Sequence, residues 1–200
     1  LNVVLLCLLS LVANAQDHLE PNNGLFEEYE FRLEYFSQIR EILFDGLSEQ
    51  PYAQMVIIPS FSKELVWQLN EEGGKYVSVL STPNHSIWYN QYEKKPKTLK
   101  NEISKNEISY ESAKLIKELY WAALNTVRYG EDRQGFDGVS YYFSTISEVQ
   151  KSGAIWTPKE GSKMKKLVDV SQSIITETQK KAKLSDDLTL RIRELILELK

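Results

Sequence analysis

Residues 64–82, ELVWQLNEEGGKYVSVLST, constrain the fold more than any other stretch of this chain. Two runs suited to extended backbone flank Glu72-Gly73-Gly74, and paired glycines tolerate the positive φ that a tight hairpin turn demands. A hairpin here commits the chain to antiparallel strand pairing. AQMVIIPS, residues 53–60, is a short β-branched run close after Pro51 and reads as a buried strand. SIWYN, residues 86–90 and entered through Pro83-Asn84, is a further strand candidate. GVSYYFSTI alternates Val139, Tyr141 and Phe143 with Ser140, Tyr142 and Ser144, the pattern of a half-buried strand. GAIWTP is its expected hairpin partner, reached through Glu148 to Gly153.

Between and around these runs the apolar period lengthens to that of a helix. From Leu25 to Leu47 the residues Tyr29, Leu33, Phe36, Leu43 and Leu47 recur at helical spacing, with Asn22 or Asn23 as N-cap and Asp45-Gly46 as the stop. A central helix over 110–128 starts at a Ser109 cap, buries Leu115, Leu119, Ala122, Ala123 and Val127, and ends at Gly130. Ser162 and Ser185 are placed to cap two C-terminal helices. Residues 91–109, polar and lysine-rich, read as an exposed loop; NEISK followed by NEISY is too short a duplication to build a repeat fold.

Strands grouped in hairpins, without regular βαβ alternation, give an α+β fold with a mostly antiparallel sheet. An N-terminal helix, a central helix and two C-terminal helices are expected to cover one face of it. The 200 residues fit a single domain, spanning 25–200, and a chain of this size builds a core without disulfides or metals.

The first 15 residues belong to a different regime. Val3 to Val12 is apolar apart from Ser10, and Ala13-Asn14-Ala15 supplies a small-x-small cleavage pattern. The run is shorter than the roughly 20 residues needed to span a bilayer. It reads as a cleaved secretory signal over 1–15, although it lacks a positive n-region, and residues 16–24 follow as an exposed leader. Leu6 stands where a lipoprotein signal needs a small residue before Cys7, which disfavours a lipid anchor. Removing the signal removes the one cysteine, so the expected location is a bacterial periplasm or the exterior.

Charge narrows the partners. A net charge of −4 argues against nucleic acid, which recruits a concentrated positive field. Residues 17–49 carry nine acidic side chains against Arg32 and Arg40, and residues 159–183 carry seven lysines against Glu160, Asp169 and Glu177. Solvated or mutually facing segments explain this asymmetry better than membrane-surface contact by the helix near 162–183.

Catalytic chemistry is sparse. The histidines are His18, in the leader, and His85, in a turn; neither belongs to a zinc spacing or a nucleophile motif, and no metal or cofactor is implied. EGSKMKK at 160–166 lacks the glycine spacing of a phosphate loop. GEDRQGFDGVSYYF, residues 130–143, looks most like a site, yet its acids miss the rhythm of an EF-hand. Asp137, with Asp132, offers the carboxylates of a glycan hydrolase, and Trp88, Tyr89 and Trp156 offer stacking surfaces for a ligand. A helix stop, an Asx-type turn and a strand explain the same residues with less. The expectation is therefore a binding domain for a protein or envelope component, with the carboxylate hydrolase as its rival.

Overall fold

The glycine pair turns the chain as expected: in a computed structural model describing residues 17–22, 32–129, 137–146 and 149–200, Gly73 and Gly74 take φ of +60° and +80°. They join β2 (Leu65–Glu72) to β3 (Lys75–Pro83) in a two-residue hairpin. β1 (Ala53–Pro59) pairs with the far side of β2, and β5 (Val139–Thr145) pairs with β1. β6 (Lys151–Trp156) follows as the hairpin partner of β5, and β4 (Asn101–Ile108) lies outside β3. All pairings are antiparallel, and the spatial order is β4-β3-β2-β1-β5-β6. With five helices in the described residues, the α+β reading holds.

Three serines start helices by one mechanism. Ser109 caps α3 (Tyr110–Leu124), Ser162 caps α4 (Lys163–Thr178) and Ser185 caps α5 (Asp186–Leu199). Each hydroxyl accepts a hydrogen bond from the backbone N–H three residues on, satisfying a donor that the helix itself leaves open. Each such cap stabilises its helix by about 1 kcal/mol.

Helices cover both faces of the sheet, not one. On one face α3 and α4 pack on Met55, Ile57, Trp67, Leu69, Tyr141, Phe143 and Ile155, and α5 packs against α3 and α4. On the other, α1 (Leu33–Leu43) places Tyr35, Phe36, Ile39 and Leu43 against Val56, Val66 and Tyr142. That second cover explains why β5 is buried on both sides from Tyr141 to Thr145 although its pattern alternates. Beyond α1 the same face is closed by a buried amide row. Gln54 donates to Ser144 Oγ at 2.9 Å, and Gln68 donates to Gln54 Oε1 at 2.7 Å and to the Ser48 carbonyl at 3.0 Å.

Several expectations need correction. SIWYN is not a strand: Ser86 accepts from Tyr89 N and starts a one-turn helix, α2 (Ile87–Asn90). A serine after a proline-led turn caps a helix as readily as it enters a strand, and the apolar run is too short for periodicity to decide. Residues 101–108, expected within an exposed loop at 91–109, form β4; they are exposed as an edge strand whose charges, among them Lys105 paired to Glu72 at 2.8 Å, protect the edge. The N-terminal helix, expected from Leu25 to Leu47, is described over 33–43, with residues 23–31 outside the described residues. α3 ends at Leu124, before Gly130, which also lies outside them.

The leader expected over 16–24 is not exposed where it is described. Leu19 is completely buried, between Gly153 of β6 and the end of α3. Glu20 exchanges both backbone hydrogen bonds with Ala154 at 2.8 Å, and the Leu19 carbonyl accepts from Arg128 N at 3.0 Å. The outer edge of β6 offers unpaired backbone groups and a leucine-sized hole, and this segment fills both. The signal segment over 1–15 lies outside the described residues. Of the lysines near 162–183, Lys165 holds Asp169 at 2.7 Å and Lys166 holds Glu198 at 2.8 Å.

Candidate functional site

The C-terminal end of β1 runs into Ser60-Phe61, and α2 lies beside it. Together with the N-terminal end of α1 and Asp137, two residues before β5, they enclose a concavity of about 200 Å³. Its walls are Arg32 and Tyr35, Ile58 to Phe61, Trp88 and Tyr89, and Asp137. Trp88 and Tyr89 of α2 thus share one depression with Asp137, which is far from them in sequence. Trp156 does not line it. It sits one strand further out, packed so closely on Gly138 that a methyl group there would lie 2.7 Å from the indole Nε1. Asp132 lies outside the described residues.

The shelf is aromatic and open. Phe61 is 72% exposed, Tyr89 44% and Tyr92 68%. The rings meet edge to face: Trp88 stands at 79° to Tyr35 and at 61° to Tyr92, with centroids 5.1 and 5.3 Å apart. Such pairs fix ring orientation beyond what area burial alone supplies. Tyr89 is held by its hydroxyl, which donates to the Ser60 carbonyl at 3.0 Å.

What holds the shelf is a carboxylate that the sequence reading passed over. Glu64 has no solvent exposure. Its oxygens accept from the Tyr35 hydroxyl at 2.9 Å, from Ile87 N at 2.9 Å, from Trp88 N at 3.0 Å and from Ser86 Oγ at 3.4 Å. The side chain therefore closes the open N–H groups of α2 and ties that helix to α1. Burial first, then the neighbouring Glu64 carboxylate, holds the Tyr35 phenol far above its ordinary range, so it remains a donor. In sequence, Glu64 looks like one more solvated acid at a strand entry, and no local signal separates it from its neighbours. Phe61 does carry a signal, a large apolar residue inside the turn-forming run Pro59-Ser60-Phe61-Ser62-Lys63.

Next to Gly138 the backbone is strained. Thr157, a β-branched residue, takes φ of +38°. It is held there by two bonds with Val139: its N–H donates to the Val139 carbonyl and its hydroxyl accepts from Val139 N, both at 2.9 Å. The Ser60 hydroxyl accepts from Gly138 N at 3.0 Å, and Ser60 N donates to the Gly138 carbonyl at 2.9 Å. These bonds fix the exposed Asp137 at the mouth of the depression.

Other depressions carry less chemistry. The trough of about 420 Å³ along α4 is lined by Asp169, Gln172, Ser173, Thr176 and Glu177. Its acids are already engaged, Asp169 by Lys165 and Glu177 by Ser185 N and Oγ at 2.7 Å. Burial raises the Glu177 pKa, but the Ser185 hydrogen bonds outweigh it and the carboxyl lies below its ordinary value. A third depression, beside Tyr52 and Trp121, has its rings covered by Lys117 at 3.8 Å and Lys151 at 4.4 Å. No group of three or more metal-ligating side chains occurs among the described residues.

In comparisons with known proteins, no family model, no curated protein and no solved structure matches this chain. The geometry of the shelf is therefore the ground on which a function has to be argued.

Proposed function

We propose that this chain is an exported α+β binding domain that holds a protein or an envelope component on the aromatic shelf formed by Phe61, Trp88, Tyr89 and Tyr92. One observation carries the reading. Large aromatic side chains stand exposed around a depression while the polar groups behind them are consumed in holding them still. A soluble domain leaves such a cluster in water at a cost in hydrophobic free energy, and preoriented rings lower the entropy lost on binding. Asp137, exposed at the mouth, supplies an acceptor or a negative charge for orientation. The apolar run and small-x-small pattern over residues 1–15 support a place in the bacterial periplasm or outside the cell.

The glycan hydrolase is the second reading, and the presence of Asp137 beside Trp88 and Tyr89 favours it. It requires a second carboxylate across a bound sugar, at roughly 5–10 Å. Glu64 is unsuited to that role, since it is sealed from solvent and its oxygens already accept four hydrogen bonds.

The test is thermal unfolding against cell-wall sugars, peptides and envelope extracts, repeated on Phe61→Ser/Tyr89→Ser. A ligand at a hundredfold excess over its dissociation constant stabilises the fold by about 2.7 kcal/mol. The expected result is a saturable rise that the double variant loses. A rise that survives in the double variant removes the shelf from the reading, and product formation abolished by Asp137→Asn replaces binding with hydrolysis.

A further inference from the structure

The aromatic shelf has cationic neighbours that its own walls do not explain. Residues 91–100, QYEKKPKTLK, set the exposed Lys94, Lys95, Lys97 and Lys100 against Glu93. Lys94 and Lys95 follow Tyr92 by two and three residues, and Tyr92 meets Trp88 edge to face. Lys63, also exposed, stands two residues from Phe61. None of these five lysines forms an ion pair among the described residues, whereas Lys75, Lys105, Lys165 and Lys166 each hold an acid.

A run of this composition reads as a solvated loop, yet two asparagines pin it. Asn90, which is buried, donates from Nδ2 to the Lys97 carbonyl at 3.0 Å and accepts at Oδ1 from Lys97 N at 2.8 Å. Asn84 donates to the Thr98 carbonyl and accepts from Lys100 N, both at 3.1 Å. Leu99 packs into the apolar cluster beneath α1. The lysine-bearing backbone is thereby tied to α2, the helix that carries Trp88 and Tyr89. Like charges held together repel one another, which raises the free energy of the unliganded surface and favours an anion beside it.

We propose that the shelf binds an anionic polysaccharide, with one sugar ring in the depression and the acidic groups of neighbouring sugar units on Lys63, Lys94 and Lys95. The proposal rests on the binding reading above and gives its ligand a chemical class. The depression of about 200 Å³ has the size of a single sugar ring. Trp88 and Tyr89 in its wall offer apolar surface to the C–H side of that ring, and Asp137 at its mouth accepts from hydroxyl groups. The ammonium groups then meet carboxylates carried by the units on either side. An anionic bilayer fits this surface less well, because the depression is concave and Asp137 repels a layer of negative headgroups.

The experiment is calorimetric titration of the full chain with oligogalacturonate, a neutral gluco-oligosaccharide of equal length, polyphosphate and phosphatidylglycerol vesicles, at about 50 and about 500 mM salt. At low salt the uronate oligomer is expected to bind about tenfold more tightly than the neutral one, and high salt removes the difference. Lys94→Gln/Lys95→Gln weakens uronate binding about tenfold and leaves the neutral oligomer unchanged, while Phe61→Ser/Tyr89→Ser weakens both. All four residues are exposed, and circular dichroism checks that each variant is folded. Equal affinity for the acidic and neutral oligomers overturns the proposal and leaves the binding reading standing. Polyphosphate or vesicles bound as tightly as the uronate also overturn it, since charge alone then suffices. If no saccharide binds, the proposal fails, and the binding reading survives only where a peptide or envelope extract raises the unfolding temperature.

Discussion

Replacing Glu64 by Gln tests whether one buried carboxylate organises the shelf. The substitution keeps the shape and changes two things. In the parent, Oε1 accepts from Tyr35, Trp88 N and Ser86, and Oε2 accepts from Ile87 N. A glutamine that keeps its carbonyl at the Oε1 position must turn its amide NH₂ toward the Ile87 N–H, two donors face to face without water. Losing a bond to a charged acceptor costs about 1.5–3 kcal/mol, and the orphaned buried donor adds about 1–3 kcal/mol. Against this, a neutral amide is cheaper to bury than a carboxylate. The net expectation is a loss of about 2–4 kcal/mol. With a urea slope of about 2 kcal/mol per M, the unfolding midpoint falls by roughly 1–2 M. Tyr35→Phe, which removes one donor and leaves the acceptor its other partners, is expected to cost about 0.5–1.5 kcal/mol. Because Trp88 and Tyr89 stand on the helix that Glu64 caps, Trp88 fluorescence also shifts in the Gln variant before global unfolding. A midpoint unchanged within about 0.3 M refutes the reasoning, since it means that the four hydrogen bonds add nothing net to the carboxylate's burial.

Three other perturbations test separate parts of the structure. Leu19→Ala empties a fully buried site between β6 and α3, and a loss of about 2–5 kcal/mol is expected in chemical denaturation; a loss below about 1 kcal/mol means that the segment is not part of the core. Gly138→Ala forces a methyl group against the Trp156 indole, and about 1–3 kcal/mol of destabilisation with a changed tryptophan emission is expected; an unchanged spectrum sinks the close packing at the shelf rim. The pH limbs follow from two shifted groups. Glu177 has a depressed folded pKa, so its contribution is present above the unfolded value of about 4.3 and is lost as pH falls through the folded value. Tyr35 keeps its proton in the fold while the unfolded chain ionises near pH 10, so stability falls above about pH 10. Glu177→Gln is expected to flatten the acid limb and Tyr35→Phe the alkaline one, and titrations indistinguishable from the parent contradict both assignments.

Local chemistry made much of the fold legible in advance. The glycine pair at 73–74 and the serine caps at 109, 162 and 185 act over a few residues, and the structure uses each as expected, whereas the alternation through Tyr141 and Phe143 marks the strand but not its burial on both faces. Signals of equal local strength were misleading where a neighbour decided. Ser86 caps a helical turn because Glu64, 22 residues away, accepts from the N–H groups that such a turn exposes. NEISKNEI reads as a loop because an edge strand has no buried face to mark it, and only the open side of β3 makes it a strand.

The site divides in the same way. Composition pointed to Trp88, Tyr89, Trp156 and Asp137 as residues able to contact a ligand. Only the meeting of β1, α2 and the start of β5 decides that Trp88, Tyr89 and Asp137 share a depression while Trp156 packs behind Gly138. Glu64 and Leu19 stayed hidden because burial is a property of what surrounds a residue, and their surroundings come from distant parts of the chain. The sequence by itself determined the menu of elements and their caps, since backbone preference and short-range hydrogen bonds act within a turn or two. The tertiary structure decided which faces are covered, which carboxylate is sealed and which aromatics remain in water, because each depends on contacts that form only when the layers close.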